Sequence, residues 1–237
     1  MQNRNYWNVQ GIDVSRHQGR INWSEVKTAG KEFALIKATQ GKTYRDPKFL
    51  MNVRGARAVG VLIGAYHYFD ATTENDARTE AQNLYIAIKD AGGVGFFDLP
   101  LVLDYETNPG SLSKTQISSI AKSFLIEIER LTGRQAMLYS GNLFAENFDA
   151  SLGTYPLWIA RYSSTPPWNV PAWSEWTIWQ FSDSGTVPGI NGNVDLNEYN
   201  GTLADLKAWW TKGKRCAEKD MAAIPVRPLD GKKYLLS

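Results

Sequence analysis

The sequence predicts an α/β chain folded as one barrel, with eight strands and about five helices. Three observations point there. Short apolar runs alternate with helical stretches five times, the pattern of parallel β/α units. Three more apolar runs follow with no helical periodicity between them. No G-x-G-x-x-G or G-x-x-x-x-G-K loop follows the first run, where an open nucleotide-binding sheet carries its phosphate loop. Eight strands close into a cylinder filled by its own side chains, so the expected architecture is a modified TIM-like barrel, (βα)5 followed by three strands.

The first strand is VQGIDVS from Val9, and Asn22 precedes the first helix, WSEVKTAG. The second strand, FALIKAT from Phe33, leads to a helix with Asp46 and Pro47 as N-cap and first turn and Gly60 as its end. LIGAYHYF from Leu62 precedes a helix running from Glu74 to Gly92. After LPLVLDYE from Leu99, a helix opens at Ser113, where Gln116 completes a capping box, and stops at Gly133. QAMLYSG from Gln135 is the fifth strand, with a short helix after Gly141. YPLWIARY from Tyr155, WTIWQFSD from Trp176 and VDLNEYN from Val194 are the last three strands, joined by links rich in Pro, Gly, Ser and Asn. A helix in TLADLKAWWTK, closed by Gly213, is expected to complete the barrel's exterior. The domain therefore spans 1–212. Residues 213–237, with Pro225, Pro228 and the Lys232-Lys233 pair, are expected to form a tail or linker.

Composition narrows the functional classes. A chain of 237 residues with 43% hydrophobic and 21% charged side chains buries one substantial core. The net charge is only +2 and the basic residues are scattered among acidic ones, so no nucleic-acid footprint is present. Cys216 is the only cysteine, which excludes an internal disulfide and any multi-cysteine zinc site. Met1 to Gln10 lacks the apolar run of a signal peptide, and no stretch is long enough to span a bilayer. The chain is thus expected to be made in the cytoplasm, without membrane insertion, as a monomer needing no metal and no other cofactor.

In a barrel of this kind the chemistry lies at the C-terminal ends of the strands. There the sequence places carboxylates. Asp104 and Glu106 end the fourth strand two residues apart, so strand alternation turns both toward one pocket. Like charge and partial burial then raise one member's pKa and leave a protonated acid beside an ionised partner, the division of labour of glycosidases. Asp13 occupies the equivalent end of the first strand, and Asp195 lies on the last strand, the first strand's neighbour in a closed barrel.

Aromatic side chains make up 12% of the chain. Their flat faces stack on the C–H faces of sugars, and those at strand ends are the ligand candidates: Tyr66, Tyr68, Tyr139, Trp158, Tyr162 and Trp179. Lys37 is placed to bind substrate or to pair with an acid, and Gln180 and Asn197 to hydrogen-bond near the site. Alternation turns His67 away from Tyr66 and Tyr68, toward a helix. With no H-E-x-x-H spacing and no G-x-S-x-G elbow around Ser15, Ser140 or Ser163, zinc peptidase and serine hydrolase readings fall away.

GIDVS with Gln18-Gly19, FALIKATQG with Asp46, GAYHYF, LVLDYE, LYSG, LWIARY, WTIWQFS and VDLN, in that order over residues 9 to 201, resemble the blocks of the glycoside hydrolase family 25 muramidases, lysozymes common among bacteriophage endolysins. The resemblance implies cleavage of the β-1,4 bond between N-acetylmuramic acid and N-acetylglucosamine in bacterial peptidoglycan. It also implies that Glu106 is the general acid and that Asp104 stabilises the positive charge at the anomeric carbon, by steering the substrate's acetamido group. Asp13 and Asp195 match the family's remaining acids, and retention of configuration is the implied outcome. Such an enzyme without a signal peptide fits a phage or prophage lysin released through a membrane pore. Tyr105 departs from the smaller aliphatic residue common in the family; alternation points it out of the pocket. Two other readings stay open: a wall-binding protein of weak activity on the same fold, and a glycosidase of another N-acetylated polysaccharide.

Overall fold

The structure, a computed structural model, describes residues 1–209. Its strands are β1 (Val9–Val14), β2 (Phe33–Gln40), β3 (Tyr44–Arg45), β4 (Leu62–Tyr68), β5 (Leu101–Asp104), β6 (Met137–Gly141), β7 (Leu157–Ala160), β8 (Ile178–Gly185) and β9 (Val194–Tyr199). Eight of them form a ring in the order β1-β9-β8-β7-β6-β5-β4-β2, closed by parallel pairing of β1 with β2. Neighbours in the ring are parallel except for β9, which runs antiparallel to both β1 and β8. The modified TIM-like barrel expected from the sequence is the observed fold. The two-residue β3 is an addition outside the ring, paired antiparallel with Thr39 and Gln40 at the end of β2.

Alternation along each strand sorts side chains into two layers. Phe33, Leu35, Val102, Met137, Trp158 and Ile178 fill the barrel interior. Crowding there is tight enough to require glycine on the neighbouring strand, since a Cβ at Gly11 would lie 2.5 Å from the ring of Phe33, with which it pairs in register. The other face of the strands, with Ile12, Ile36, Ile63, Leu103 and Leu138, packs against the helices. Those are α1 (Trp23–Thr28), α2 (Phe49–Ala58), α3 (Glu74–Asp90) and α4 (Lys114–Thr132).

The helix boundaries follow local chemistry. Ser113 caps α4 through the Gln116 backbone N–H, and Gln116 reaches back to the Ser113 N–H, completing the predicted capping box. Gly133 ends α4 in the left-handed region, with φ 63°. Two boundaries differ from expectation. Asp46 and Pro47 lie outside α2, which starts at Phe49; the Asp46 carboxylate instead accepts from the backbone N–H groups of Lys48 and Arg16 and ties two loops together. In place of the short helix after Gly141 are two 3-10 turns, Phe144–Asn147 and Ala150–Leu152. Here Phe148 and Leu152 are buried, giving the outer layer its cover without a full helix.

The segment 203–209 is helical, but it does not complete the exterior as expected. Leu206 is fully buried in the interior cluster with Val9 and Ile178, and Leu203 and Trp209 pack on that cluster, so this helix plugs the barrel's N-terminal end. Trp210, Gly213, Cys216 and the expected tail 213–237 lie outside the described residues. Among the described residues no helix is long and apolar enough to cross a membrane.

Candidate active site

Strand direction explains why acids far apart in the chain meet. Asp13 and Asp104 stand at or next to the C-terminal ends of the parallel strands β1 and β5. Because β9 runs the other way, its beginning reaches the same rim, and Asp195 pairs in register directly with Asp13. Glu106 follows two residues after Asp104 with Tyr105 turned outward between them. All four acids line one pocket of about 270 Å³.

Tyr105 is 1% exposed and packs among Phe69, Phe144 and Phe148, while Asp104 and Glu106 face the pocket. The same alternation separates Tyr66 and Tyr68, both in the pocket, from His67 between them. The buried His67 ring lies between Thr39 Oγ1 at 2.7 Å and Glu80 Oε2 at 2.9 Å, against Phe124 of α4. Burial lowers the His67 pKa, so the ring is neutral, with Nε2–H donating to the carboxylate and Nδ1 accepting from Thr39.

Asp13 is held by a fixed hydrogen-bond chain. Its Oδ2 accepts from Gln180 Nε2 at 2.8 Å and from Asn197 Nδ2 at 2.7 Å. Both amides are oriented from behind: Tyr139 donates its hydroxyl to Gln180 Oε1, and Trp158 donates its indole N–H to Asn197 Oδ1. Burial, followed by the charge of Asp195, pushes the Asp13 carboxyl well above the usual carboxylate range. Burial raises the Asp195 carboxyl as well, so the two acids titrate as a coupled pair that holds a proton more readily than isolated carboxylates do.

Asp104 sits deeper than Glu106 and is almost fully buried. Among the described residues its Oδ1 has no hydrogen-bond partner. Burial, then the charge of Glu106, raises its pKa well above normal, and Lys37 acts in the opposite direction. Burial also raises Glu106, which is half-buried at the pocket's mouth, and Lys37 again opposes. Lys37 Nζ donates to Gln40 Oε1 at 3.0 Å and stands 4.7 Å over the Tyr68 ring. Its own pKa is lowered by burial. The result is two carboxyls pressed toward protonation in a confined pocket, with one cation limiting the effect.

Tyr66, Tyr68, Tyr139, Trp158, Lys37 and Gln180 all line the pocket. Asn197 is buried beneath it, in contact with Asp13. Tyr162, 54% exposed, adds an aromatic edge and bonds Gln180 Oε1. Trp179 does not belong: it is fully buried on the helix side, donating to Arg161 O and packing on Trp176. Gln180 faces inward, so alternation excludes Trp179 from the pocket, a signal already present in the sequence. Ser140 is buried and donates to Tyr105 O, and Ser163 turns a loop, both purely structural. His17 and Gln18, from the 3-10 turn after β1, line the pocket although neither was singled out as a ligand. A short turn of this kind carries no periodicity that would point its side chains at the site.

A cluster of carboxyls with raised pKa values, framed by aromatic rings at the C-terminal rim of a β/α barrel, is the site of a glycoside hydrolase. The chain belongs to glycosyl hydrolases family 25, whose model matches residues 12–190. It is 37% identical over 211 residues to Lysozyme M1 of Streptomyces globisporus, covering 84% of this chain and 70% of that one. It is 34% identical to the N,O-diacetylmuramidase of Chalaropsis sp, covering 84% and 97% of the two chains. The crystal structure of the bacterial lysozyme from Streptomyces coelicolor superposes with a TM-score of 0.77 at 33% identity, covering 88% of this chain and all of that one.

Proposed function

We propose that the protein is a muramidase that hydrolyses the β-1,4 bond between N-acetylmuramic acid and N-acetylglucosamine in bacterial peptidoglycan. The observation that carries this reading is the Asp104–Glu106 arrangement: a deep carboxyl with an unpartnered Oδ1 beside a shallower one at the mouth. Glycosidic cleavage needs a proton for the leaving oxygen and negative charge beside an oxocarbenium-like centre. An acetamido N–H arriving at Asp104 Oδ1 supplies the donor this carboxyl lacks and favours its ionised form. Negative charge at Asp104 then holds the nearby proton on Glu106.

From that state Glu106 gives its proton to the glycosidic oxygen as the C–O bond breaks. The acetamido oxygen, oriented through its N–H by Asp104, forms a bond to the anomeric carbon and a cyclic oxazolinium results. Water attacks that carbon from the vacated face, the Glu106 carboxylate takes its proton, and the ring reopens with retained configuration. Asp13, fixed by Gln180 and Asn197, pairs with Asp195 at the rim, and the negative charge this coupled pair carries adds potential near the developing cation. Tyr66, Tyr68, Tyr139 and Tyr162 supply ring faces and neutral hydroxyls for the sugars; burial keeps all four protonated.

The names of the relatives, lysozyme and N,O-diacetylmuramidase, support the peptidoglycan substrate and the wall as the place of action. Digestion of purified wall is expected to release reducing ends without new free amines. Borohydride reduction followed by mass analysis is expected to find muramitol at the new ends. Glucosaminitol there would assign the opposite bond, and no new reducing ends would leave only a binding role.

Lys37 gives a test by pH. Its charge favours the ionised forms of Asp104 and Glu106, so removing it raises both pKa values. Activity needs Asp104 ionised and Glu106 protonated, so both limbs of the kcat/KM profile are expected to move to higher pH in Lys37→Met. A shift to lower pH contradicts the electrostatic role.

A further inference from the structure

A second basin, about 780 Å³ in volume, opens beyond the ends of β2 and β4. It shares His17 and Lys37 with the pocket of the acids, so the two form one continuous cleft. Its wall is β3, which folds back on the end of β2 and stands Tyr44 at the edge.

The chemistry of the two parts differs. The pocket of the acids is framed by aromatic rings, whereas among the described residues the basin holds only the Tyr44 ring and the shared His17 imidazole, with the charged side chains of Arg16, Lys42, Asp46, Asp70, Asp76 and Glu80 around them. Lys42 is neutralised by Asp76 at 2.7 Å. Arg16 is not: among the described residues no carboxylate pairs its guanidinium. It is nevertheless held in place, its backbone N–H bonded to Asp46 Oδ2 at 2.9 Å, its Nη1 donating to the Tyr44 hydroxyl at 3.1 Å, and its Cζ 5.7 Å from the Tyr44 ring centroid. Asp70 accepts only from the neutral amide of Gln40, at 3.2 Å, and meets no cation within ion-pair distance among the described residues. An oriented, uncompensated guanidinium and an exposed carboxylate beside an acidic pocket suit a ligand bearing both charges, and a neutral sugar would need aromatic faces instead.

Muramic acid carries such a ligand, a short peptide amide-linked to its lactyl group, with free carboxylates and an amino group. We infer that this basin binds the stem peptide of the muramyl residue being cleaved, Arg16 taking a peptide carboxylate and Asp70 facing the ammonium. The inference rests on the muramidase reading and adds to it a requirement for substituted glycan.

The test compares wall glycan bearing its stem peptides with the same glycan stripped of them by an amidase. The wild-type protein is expected to show a kcat/KM ratio favouring the peptide-bearing strand by about tenfold, the effect of one charge-assisted contact. Arg16→Met is expected to bring the ratio close to one, and Arg16→Glu to invert it; thermal melting of both variants checks that they fold. Added salt is expected to lower the wild-type ratio and to change that of Arg16→Met, which keeps only the Asp70 contact, much less. A wild-type ratio of one, or a ratio untouched by either variant, overturns the assignment of the basin. Absence of new reducing ends from both glycans sinks the muramidase reading itself, a result distinct from either.

Discussion

Glu106→Gln is expected to lower kcat on bacterial wall by about a thousandfold while leaving the fold intact, within the range attributed to a single general acid. Glutamine matches the shape of the protonated carboxyl and offers an N–H, but it has no proton acidic enough to transfer to the leaving oxygen. The fold should tolerate it because Glu106 makes no ion pair among the described residues and lies half-exposed at the mouth. Substrate affinity should change little, so the loss falls on kcat rather than KM. Reducing-end assays at saturating wall concentration measure it directly. Retention of more than a tenth of the wild-type rate would remove Glu106 from the proton-transfer step.

Asp104→Asn is expected to abolish activity and make the protein more stable. Burial and Glu106 raise the folded-state pKa of Asp104 above its unfolded value near 3.9. A group shifted in that direction contributes stability at pH below its unfolded pKa and loses it as the pH rises through the folded pKa. At neutral pH the wild type therefore bears the cost of a carboxyl that is ionised, or captures a proton, where it is buried. Asparagine has no charge to bury. The variant is expected to gain about 1–2 kcal/mol, with Tm rising ~2–4 °C per kcal/mol, at neutral pH. The gain should vanish below pH ~4, where both states of the wild type are protonated. Thermal melts of both proteins across this range check the sign; a lower Tm for the variant at neutral pH contradicts the account of the buried carboxyl. A stabilising change that destroys function is the signature of a residue kept for chemistry.

Much of this was legible in the sequence because alternation is a strict rule inside a closed barrel. Once LPLVL was assigned to a strand, Asp104 and Glu106 had to share the interior and Tyr105 had to leave it; the same rule turned His67 outward between Tyr66 and Tyr68. Asp195 was accessible for a different reason, since the last strand of a ring must neighbour the first. What escaped lay where no period operates. β3 is only two residues long and pairs with the end of β2, so nothing distinguished it from a loop. Arg16 and His17 occupy a single 3-10 turn, and their place in the cleft follows from the bond between the Arg16 backbone and Asp46, a tertiary contact. The amphipathic pattern of 203–209 announced a helix but not which surface it covers; that it plugs the barrel end depends on where β9 delivers the chain. Gln180 and Asn197 were placed near the site, and the structure adds their direction: both donate to Asp13, with Tyr139 and Trp158 behind them.

In the proposed mechanism Glu106 protonates the departing saccharide while Asp104 and the substrate's own acetamido group support the anomeric carbon. The most direct test of this mechanism is the dependence of the Glu106→Gln defect on the leaving group. Against an N-acetylated aryl glycoside whose dinitrophenolate departs without a proton, release of the phenolate in a single turnover is expected to proceed in the variant within a few-fold of the wild-type rate, while wall cleavage stays about a thousandfold down. An equal loss on both substrates would mean that Glu106 does something other than deliver the proton.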